Sequence, residues 1–404
     1  MNTRTRFRRV AVLCVAYVAV AATLVSAQEG TARGVSASEI RIGNITCTSG
    51  MSEAYAAVAH SEAAYFRMIN DRGGINGHKI IFVSREDGCQ RASSLELAQL
   101  LVEKEDVLLL FSVLGTEANL AIRGYMNERR VPQLFIESSS SAFNDPDKFP
   151  WTMGFFATYF TEGRAYAKYV LQNQPSAKIG VLSPDNDVGK EFVGGLRDGL
   201  GKNGSLMIVR EITYNASDRD LTAAIRTLKD SGAEVFMNFS IGALASEAIR
   251  AAFDLDWHPM QFIPNASLSV AAFLEPVGLQ KSTGIISNAR SKRWMGSASQ
   301  QDPAVRGFLE WMTKYNPQGN LRDQNNVAGY ERAEALVEVL KRCGDDLTRA
   351  NVMKQASHLN LELGMLRPGI RVTTSPSDYQ PIKQLFLIRF DGKEWIPLGP
   401  ITSE

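Results

Sequence analysis

The sequence predicts an α/β protein in which parallel sheets are covered by helices on both faces. Residues 40–88 have the pattern of a βαβ unit: a strand, a polar turn, a long helix, a glycine-rich stop and a second strand. Short apolar strands and helices then alternate along the chain, which is typical of parallel sheets. The 404 residues exceed the usual size of a single core, which favours two domains.

The first unit also predicts where a ligand could bind. A helix is expected over 53–70, because its apolar residues fall near helical spacing, and it should stop at Gly73 and Gly74, which accept a left-handed turn. Small molecules bind beyond the carboxyl ends of the strands in an open parallel sheet. The turn over 46–52 is therefore a candidate ligand loop.

The alternation continues after this unit. Strands are predicted at 79–84, 107–111, 133–136, 178–182, 207–214, 235–239, 261–263, 285–287 and 384–389. Helices are predicted at 93–103, 117–127, 159–171, 190–200, 221–229, 243–253, 304–314, 327–340 and 347–356. The pattern breaks over 145–154, where Pro146, Pro150 and Gly154 interrupt both periodicities. We expect the first passage between domains near Phe155.

Residues 1–27 have the pattern of a cleavable export signal. Four arginines precede an apolar run over 10–25, and Val25-Ser26-Ala27 supplies small residues for cleavage before Gln28. A retained membrane anchor is the alternative, but the run is shorter than the about 20 residues that a spanning helix needs. The sequence therefore predicts export to the periplasm.

Composition and motifs argue against several other classes. Basic and acidic residues are balanced, 44 against 43, so no nucleic-acid footprint is evident. The four histidines are scattered without zinc-ligand spacing, and the glycines after the first helix lack the Lys-Ser/Thr of a phosphate loop. The serine run 138–141 lacks the glycines of a nucleophile elbow. We expect no enzyme activity, no metal and no cofactor.

Cysteines suggest a cross-link in an exported chain. Cys47 and Cys89 follow the first two strands, and neighbouring parallel strands place such residues at one sheet edge. Export implies an oxidising compartment, so a Cys47–Cys89 disulfide is our hypothesis, with buried thiols as the alternative. Cys343 is expected to be an unpaired, packed thiol.

The serine run 138–141 is also a candidate anion site. It follows a predicted strand, so its hydroxyls and backbone N–H groups should converge at the carboxyl edge of the sheet, where they suit a carboxylate. A plain polar loop is the alternative.

The order IRIG…AAYFRMINDRGGINGHKI…EDG resembles the start of periplasmic solute-binding proteins of the branched-chain amino acid ABC-transporter family. The resemblance implies a type I periplasmic binding protein fold: two doubly wound parallel-sheet lobes joined by a three-strand hinge. It places residues 36–155 plus 290–372 in lobe 1 and residues 156–289 plus 373–404 in lobe 2. The returns between lobes would fall near Ala289 and Thr373.

The resemblance also implies a ligand site. In this family two first-lobe loops hold the ligand carboxylate, and they correspond here to Leu114, Gly115 and Thr116 and to Ser139, Ser140 and Ser141.

Two departures from the family bear on the ligand. Amino-acid-binding members place an acidic residue after the strand that corresponds to 261–263, to pair with the α-ammonium, whereas this chain has Asn265. A buried ammonium without a carboxylate is costly, so the ligand is expected to lack an α-amino group. A tyrosine common in the second lobe is replaced by Val188, which opens room.

Several aromatic residues and one arginine are further candidates near the cleft. Phe155, Phe156 and Tyr159 at the hinge and Tyr55 in the first helix would suit a flat or apolar ligand, although such residues are commonly core. Arg290 follows the strand at the second return and could neutralise a carboxylate. A solvated surface arginine is its alternative.

Four further segments resemble a subgroup associated with organic acids and aromatic carboxylates: VPQLFIESSSSAFNDPDKFPWTMGF, YFTEGRAYAKYVL, LKRCGDDLTRANVMKQA and LRPGIRVTTSPSDYQPIKQLFLIRFDG. The favoured function is thus a monomeric periplasmic binding protein that captures an aromatic or other amine-free carboxylate and passes it to ABC permease subunits. A binding protein for branched-chain or other amino acids, and a ligand-sensing module of the same fold, are the alternatives. An exported enzyme is a more distant possibility.

Overall fold

The structure is a computed structural model that describes residues 33–48, 54–88, 90–296 and 299–401. It consists of two α/β lobes. The expected export signal, residues 1–27, lies outside the described residues. The strands are β1 (Glu39–Thr46), β2 (Lys79–Glu86), β3 (Leu109–Phe111), β4 (Gln133–Leu134), β5 (Ile179–Pro184), β6 (Ile208–Tyr214), β7 (Val235–Asn238), β8 (Met260–Phe262), β9 (Ile286–Ala289), β10 (Asn360–Leu361), β11 (Val372–Thr373), β12 (Leu385–Phe390) and β13 (Trp395–Ile401). The helices are α1 (Ala56–Asp71), α2 (Arg91–Glu103), α3 (Thr116–Glu128), α4 (Tyr159–Asn173), α5 (Asp187–Leu200), α6 (Gly204–Met207), α7 (Thr222–Asp230), α8 (Ala243–Asp254), α9 (Pro303–Tyr315), α10 (Gln324–Cys343) and α11 (Arg349–Ala356).

The first lobe is built on a parallel sheet of order β2-β1-β3-β4. Its strands are apolar on both faces because helices cover both. On one face Ile40 and Ile42 join a core with α1, α9 and α10, and on the other Ile45 and Leu110 pack against α2 and α3. This arrangement confirms the predicted βαβ unit.

The predicted glycine stop between α1 and β2 has a clear steric basis. Gly74 has a φ of +80°, and an added Cβ would lie 2.0 Å from the carbonyl oxygen of His78. Only glycine fits this left-handed position, at which the chain turns into β2.

The second lobe contains a seven-stranded sheet of order β13-β12-β9-β8-β7-β5-β6. The five neighbouring strands β9, β8, β7, β5 and β6 are parallel. Strands β12 and β13 add antiparallel pairs at one edge. The parallel strands were predicted, but β13 was not. Its sequence, WIPLGPI, contains Pro and Gly and therefore lacks a strand-like pattern.

The chain passes between the lobes at three places. The first lies between Phe155, in the first core, and Tyr159, in the second, and the next follows Ala289 at the end of β9. The third lies between Ile382 and Leu385, later than Thr373, where the resemblance placed it. Residues after β11 stay on the first lobe because the Ile382 N–H donates a 3.2 Å hydrogen bond to the Phe155 carbonyl oxygen.

Candidate functional site

A cavity of about 630 Å³ lies between the lobes, at the carboxyl ends of the parallel strands. First-lobe loops after β3 and β4 form one wall, and second-lobe loops after β5, β7 and β8 form the opposite wall. Ten of the ligand residues that the sequence suggested line it: Tyr55, Leu114, Gly115, Thr116, Ser139, Phe156, Tyr159, Val188, Asn265 and Arg290. The structure thus brings together residues that are far apart in the sequence.

The N-terminus of α3 is a candidate anion site in the first-lobe wall, which we call the cradle. Gly115, at the N-cap with a φ of +93°, provides no side chain to cap the first N–H groups of the helix. The Thr116 and Ser138 hydroxyls lie 2.7 Å apart beside this turn. The uncapped helix end and the helix dipole favour a negative charge here.

Tyr159 supplies a third hydroxyl to the cradle. It begins α4, and its backbone N–H donates a 2.8 Å hydrogen bond to the Ser139 carbonyl oxygen. Burial raises the pKa of Tyr159 to about 12, although Ser138, Ser139 and Thr116 partly oppose the shift. The phenol therefore stays protonated and can donate a hydrogen bond to a carboxylate.

Ser140 and Ser141 do not line the cavity, unlike Ser139. The Ser140 Oγ donates a 2.5 Å hydrogen bond to Glu191 Oε1, and the Ser141 N–H donates one of 2.9 Å to Glu191 Oε2. Glu191 belongs to α5 in the second lobe. These serines do bind a carboxylate, but one that the protein itself supplies.

The hinge aromatic that faces the cavity is Phe156 rather than Phe155. Phe155 is fully buried in the first-lobe core, with its ring centre 5.1 Å from that of Phe135. The Phe156 ring lies between two guanidinium groups, at 4.3 Å from Arg290 and 4.8 Å from Arg332. Successive side chains of an extended segment point in opposite directions, so only one can face the cleft.

Asn265, which the sequence resemblance matches to an acidic position of amino-acid-binding members, is held on both sides by hydrogen bonds. Its side-chain N–H group donates a 2.7 Å hydrogen bond to the Asn288 carbonyl oxygen, and its Oδ1 accepts one of 3.2 Å from Arg290. Both ends of the amide are therefore held. The pattern requires an amide, since a carboxylate would face the Asn288 oxygen without a proton.

Arg290 is a buried member of this group rather than a solvated surface residue. It is 8% exposed, and its Nε lies 3.1 Å from Glu331 Oε2. Burial lowers the pKa of Arg290, an effect that the Glu331 charge opposes. The pair leaves Arg290 facing the cavity with its charge largely compensated.

Glu162 lies behind Asn265 and was not predicted. Its Oε2 accepts hydrogen bonds from the Asn265 N–H at 3.0 Å, from Asn288 at 2.9 Å and from the Tyr166 hydroxyl at 3.2 Å. Burial raises the pKa of Glu162 to about 7, with these hydrogen bonds opposing the shift. The group supports the second-lobe wall from behind.

A second unpredicted group lies under the first-lobe wall. Glu137 lines the cavity and forms an ion pair with the fully buried Arg332, whose Nε also lies 3.5 Å from Glu62 Oε1. One guanidinium thus serves two carboxylates, and burial raises the pKa of Glu62 to about 8 despite Arg332. Glu137 directly precedes the serine run, but its partner comes from α10, which local patterns could not reveal.

Hydrogen bonds join the lobes on either side of the cavity. The Tyr55 hydroxyl donates a 2.8 Å hydrogen bond to the Ala266 carbonyl oxygen, and the Ser269 Oγ donates one of 2.7 Å to Asp323. The contacts of Glu191 with the serine run lie at another edge. The structure therefore shows a closed arrangement of two lobes around an internal cavity.

The sequence profile of a family described as Periplasmic binding protein matches residues 39–394. This chain belongs to that family. A relative from Brucella melitensis, "Leu/Ile/Val-binding protein homolog 3", is 21% identical over 338 residues, which cover 81% of this chain and 86% of the relative. The family consists of substrate-binding proteins rather than enzymes.

Solved structures of other periplasmic binding proteins share the fold. A branched-chain amino acid ABC transporter protein from Thermus thermophilus with bound valine gives a TM-score of 0.81 at 17% identity, covering 91% of this chain and 97% of that one. A fatty acid ABC transporter substrate-binding protein from Thermomonospora curvata gives 0.79 at 17% identity, covering 93% and 95%. At such identity the likeness establishes the type I two-lobed fold, as the sequence resemblance predicted.

The cysteines of this periplasmic binding protein differ in state. Cys47, at the cavity edge after β1, is disulfide-bonded, and its predicted partner Cys89 lies outside the described residues. Cys343 is a free, buried thiol, and burial raises its pKa to about 12.

Within the described residues, no group of three or more His, Cys, Asp or Glu side chains could hold a metal ion. Among the helices described here, none combines the length and apolarity needed to cross a membrane.

Proposed function

We propose that this protein is the periplasmic substrate-binding component of an ABC uptake transporter, and that it captures a small carboxylate without an α-amino group. An aromatic carboxylate is the favoured ligand. The observation that carries this proposal is the cradle at the N-terminus of α3. The N-terminus of α3, which has no side-chain cap, converges there with the hydroxyls of Thr116, Ser138 and Tyr159, and all of these residues line the cavity. Away from water, each hydrogen bond to a carboxylate is stronger.

The second-lobe wall supports the absence of an amine. Asn265 holds the place of the acidic residue, and its amide is engaged by Asn288 and Arg290. Acidic residues that do line the cavity have other partners: Glu137 pairs with Arg332, Glu394 pairs with Arg293, and Asp87 accepts a hydrogen bond from Ser94. Glu117 is also engaged and lies at the helix end that favours the ligand anion. An α-ammonium would lack a partner of its own.

The cavity walls suit a flat, apolar body. Aromatic side chains from both lobes face it, and they are Tyr55, Phe156, Tyr159, Trp294 and Trp395. Such rings contribute large apolar area and accept offset or edge contacts with an aromatic ligand.

Hinge closure is the proposed mechanism. The first lobe binds the acid group, and the second lobe closes over it through the contacts at Glu191, Ala266 and Ser269. A ligand that contacts both lobes shifts the equilibrium towards the closed form, which permease subunits would distinguish. The protein would act as a monomer.

Binding of a branched-chain amino acid is the second candidate. The name of the Brucella melitensis relative and the bound valine of the Thermus thermophilus structure favour it. In that case the α-ammonium would have to be met by a residue other than Asn265.

A thermal-shift screen with matched pairs tests the proposal. Each pair differs by the α-ammonium alone: hydrocinnamate against phenylalanine, and isocaproate against leucine. A ligand that binds only the folded protein raises its melting temperature by mass action. We expect the amine-free member of each pair to stabilise the protein and the amino acid to have little effect. Stabilisation by leucine and not by isocaproate would reject the proposal in favour of amino acid binding.

A further inference from the structure

The cavity does not end at the carboxylate cradle. It continues past Arg290 to a region that we name the basic extension, made of Lys292, Arg293, Arg322, Arg367 and Lys393. First-lobe residues supply four of these side chains, and the turn between β12 and β13 of the second lobe supplies Lys393. Closure of the lobes therefore completes this region as well.

Charge in the basic extension is not balanced. Lys292 pairs with Asp302 at 2.8 Å, Arg293 with Glu394 at 2.6 Å, and Arg322 with Glu275 at 2.9 Å. Arg367 and Lys393 have no carboxylate partner among the described residues. The described part of this region thus carries an excess of positive charge beside a cavity.

Of these two cations, Arg367 is the one whose side chain is fixed by contacts with the protein. It is half-buried, its Nε donates a 2.9 Å hydrogen bond to the Ser291 carbonyl oxygen, and its guanidinium lies 5.4 Å from the centre of the Phe386 ring. These contacts orient the group and leave its terminal nitrogens without an acceptor within the described ranges. Burial, and then the neighbouring charge of Arg293, lower the pKa of Arg367. A bound anion would relieve both effects.

The walls between the cradle and the basic extension are apolar. Trp294 and Trp395 line the cavity there, and each indole N–H is satisfied by a backbone carbonyl oxygen, of Leu321 and of Leu268 respectively. Both indoles are buried and pack against Phe308 and Phe390 respectively, so a ligand would meet only the part of each ring that lines the cavity.

From this arrangement we infer that the ligand is an elongated dicarboxylate, with one acid group in the cradle of α3 and the other at Arg367 and Lys393. Guanidinium groups recognise carboxylates through paired hydrogen bonds, and both ends of such a ligand would be neutralised. This inference rests on the proposed function, because it assigns the substrate class of the same cavity.

The test compares acids that differ by one carboxylate: terephthalate against benzoate, and adipate against caproate. Dissociation constants are measured by calorimetry on the full chain purified from the periplasm of an expression host. We expect each diacid to bind roughly tenfold or more tightly than its monoacid, as a charge-assisted contact would give. Equal affinities within each pair would overturn the inference alone. Failure of all four acids to bind would overturn the proposed function and the inference with it.

Variants locate the second acid group. Arg367→Gln is expected to weaken diacid binding about tenfold and to leave monoacid binding within about twofold, whereas Arg367→Lys, which keeps the charge, should retain part of the preference. Lys393→Gln changes an exposed side chain and remains informative if Arg367→Gln fails to fold. Arg389→Gln, which removes an exposed charge from β12 outside the cavity, is the matched control. Equal losses for mono- and diacids in the Arg367 and Lys393 variants would contradict the assignment.

Discussion

The Ser140 hydroxyl of the first lobe lies 2.5 Å from the Glu191 carboxylate of the second. The Ser141 N–H reaches the other oxygen of the same carboxylate at 2.9 Å. This contact can form only when the lobes are closed, and it lies outside the cavity. It therefore contributes to the closed state without touching the ligand.

Glu191→Ala should accordingly weaken ligand binding without changing selectivity. Loss of a charge-assisted contact at a partly exposed site would reduce affinity about tenfold for every ligand, because closure becomes less favourable. Calorimetry and small-angle scattering would measure affinity and the open fraction. Glu211→Ala removes an acid of the second lobe that pairs with Arg197 on the same lobe, and it should leave both unchanged. A change of selectivity in Glu191→Ala would argue against a purely conformational role.

Thr116→Val tests the carboxylate cradle. The substitution keeps the side-chain shape but removes the hydroxyl that lies 2.7 Å from Ser138. We expect about a tenfold to hundredfold loss of affinity for carboxylates, because a buried acceptor would lose a donor. Thr227→Val, in α7 of the second lobe, is the control. Unaltered carboxylate affinity in Thr116→Val would place the acid group elsewhere in the cavity.

Asn265→Asp should shift preference towards amino acids. The new carboxylate would face the cavity at the position where amino-acid-binding relatives carry an acid, and it would keep the contact with Arg290. It would also repel the Asn288 carbonyl oxygen, so some loss of stability is expected. Affinities for phenylalanine and hydrocinnamate, measured in parallel, should change in opposite directions. If the ratio of the affinities for hydrocinnamate and phenylalanine is the same in Asn265→Asp as in the parent protein, Asn265 does not exclude the amine.

Glu162 should make stability depend on pH. Its pKa rises from 4.5 to about 7 on folding, so the folded protein holds a proton that the unfolded chain releases within this window. Below the pKa of the unfolded chain, the neutral form contributes fully to the free energy of unfolding. This contribution falls as the pH rises to the pKa of the folded protein, by about 3 kcal/mol at most.

Urea denaturation between about pH 5 and about pH 8 measures this effect. Glu162→Gln, which stays neutral, should reduce the pH dependence, with the remainder due to other buried acids such as Glu62, whereas Glu310→Gln, an exposed change on α9, should preserve it. A profile for Glu162→Gln that matches the parent protein would exclude Glu162 as its source.

The cysteines should differ in reactivity. Peptide mapping without reduction is expected to find Cys47 joined to Cys89, whereas Cys343 should resist alkylation until the protein unfolds. Burial and a raised pKa both suppress the thiolate of Cys343. A free Cys89 in the native protein would show that Cys47 has another partner.

Local sequence signals were sufficient for most of the framework. The glycine stop at Gly74 and the strand before Leu114 depend on nearby residues, and their patterns predicted the elements. Whether Phe155 or Phe156 faces the cavity depends on a shift of one residue along the chain. Hydrophobic periodicity does not resolve such a shift where the chain passes between the lobes. Tyr55 lines the cavity, and its contact with a ligand stays a prediction.

Long-range partners account for what was missed. Glu137 was not predicted because its partner Arg332 comes from α10, and the contact of Ser140 and Ser141 with Glu191 was not predicted because Glu191 comes from the other lobe. The basic extension likewise gathers side chains from four separate stretches of the chain. Pairs that form only through tertiary packing leave no periodic trace in the sequence.

The order of the segments constrains when each lobe can be completed. The first core requires α9 and α10, and the second sheet requires β12 next to β9 and β13 at its edge. No N-terminal portion of the chain therefore contains a complete lobe, so neither lobe can fold fully until nearly the whole polypeptide has been synthesised. Such a chain would remain an extended polymer during translocation, and its folding would be delayed until the last strand has emerged.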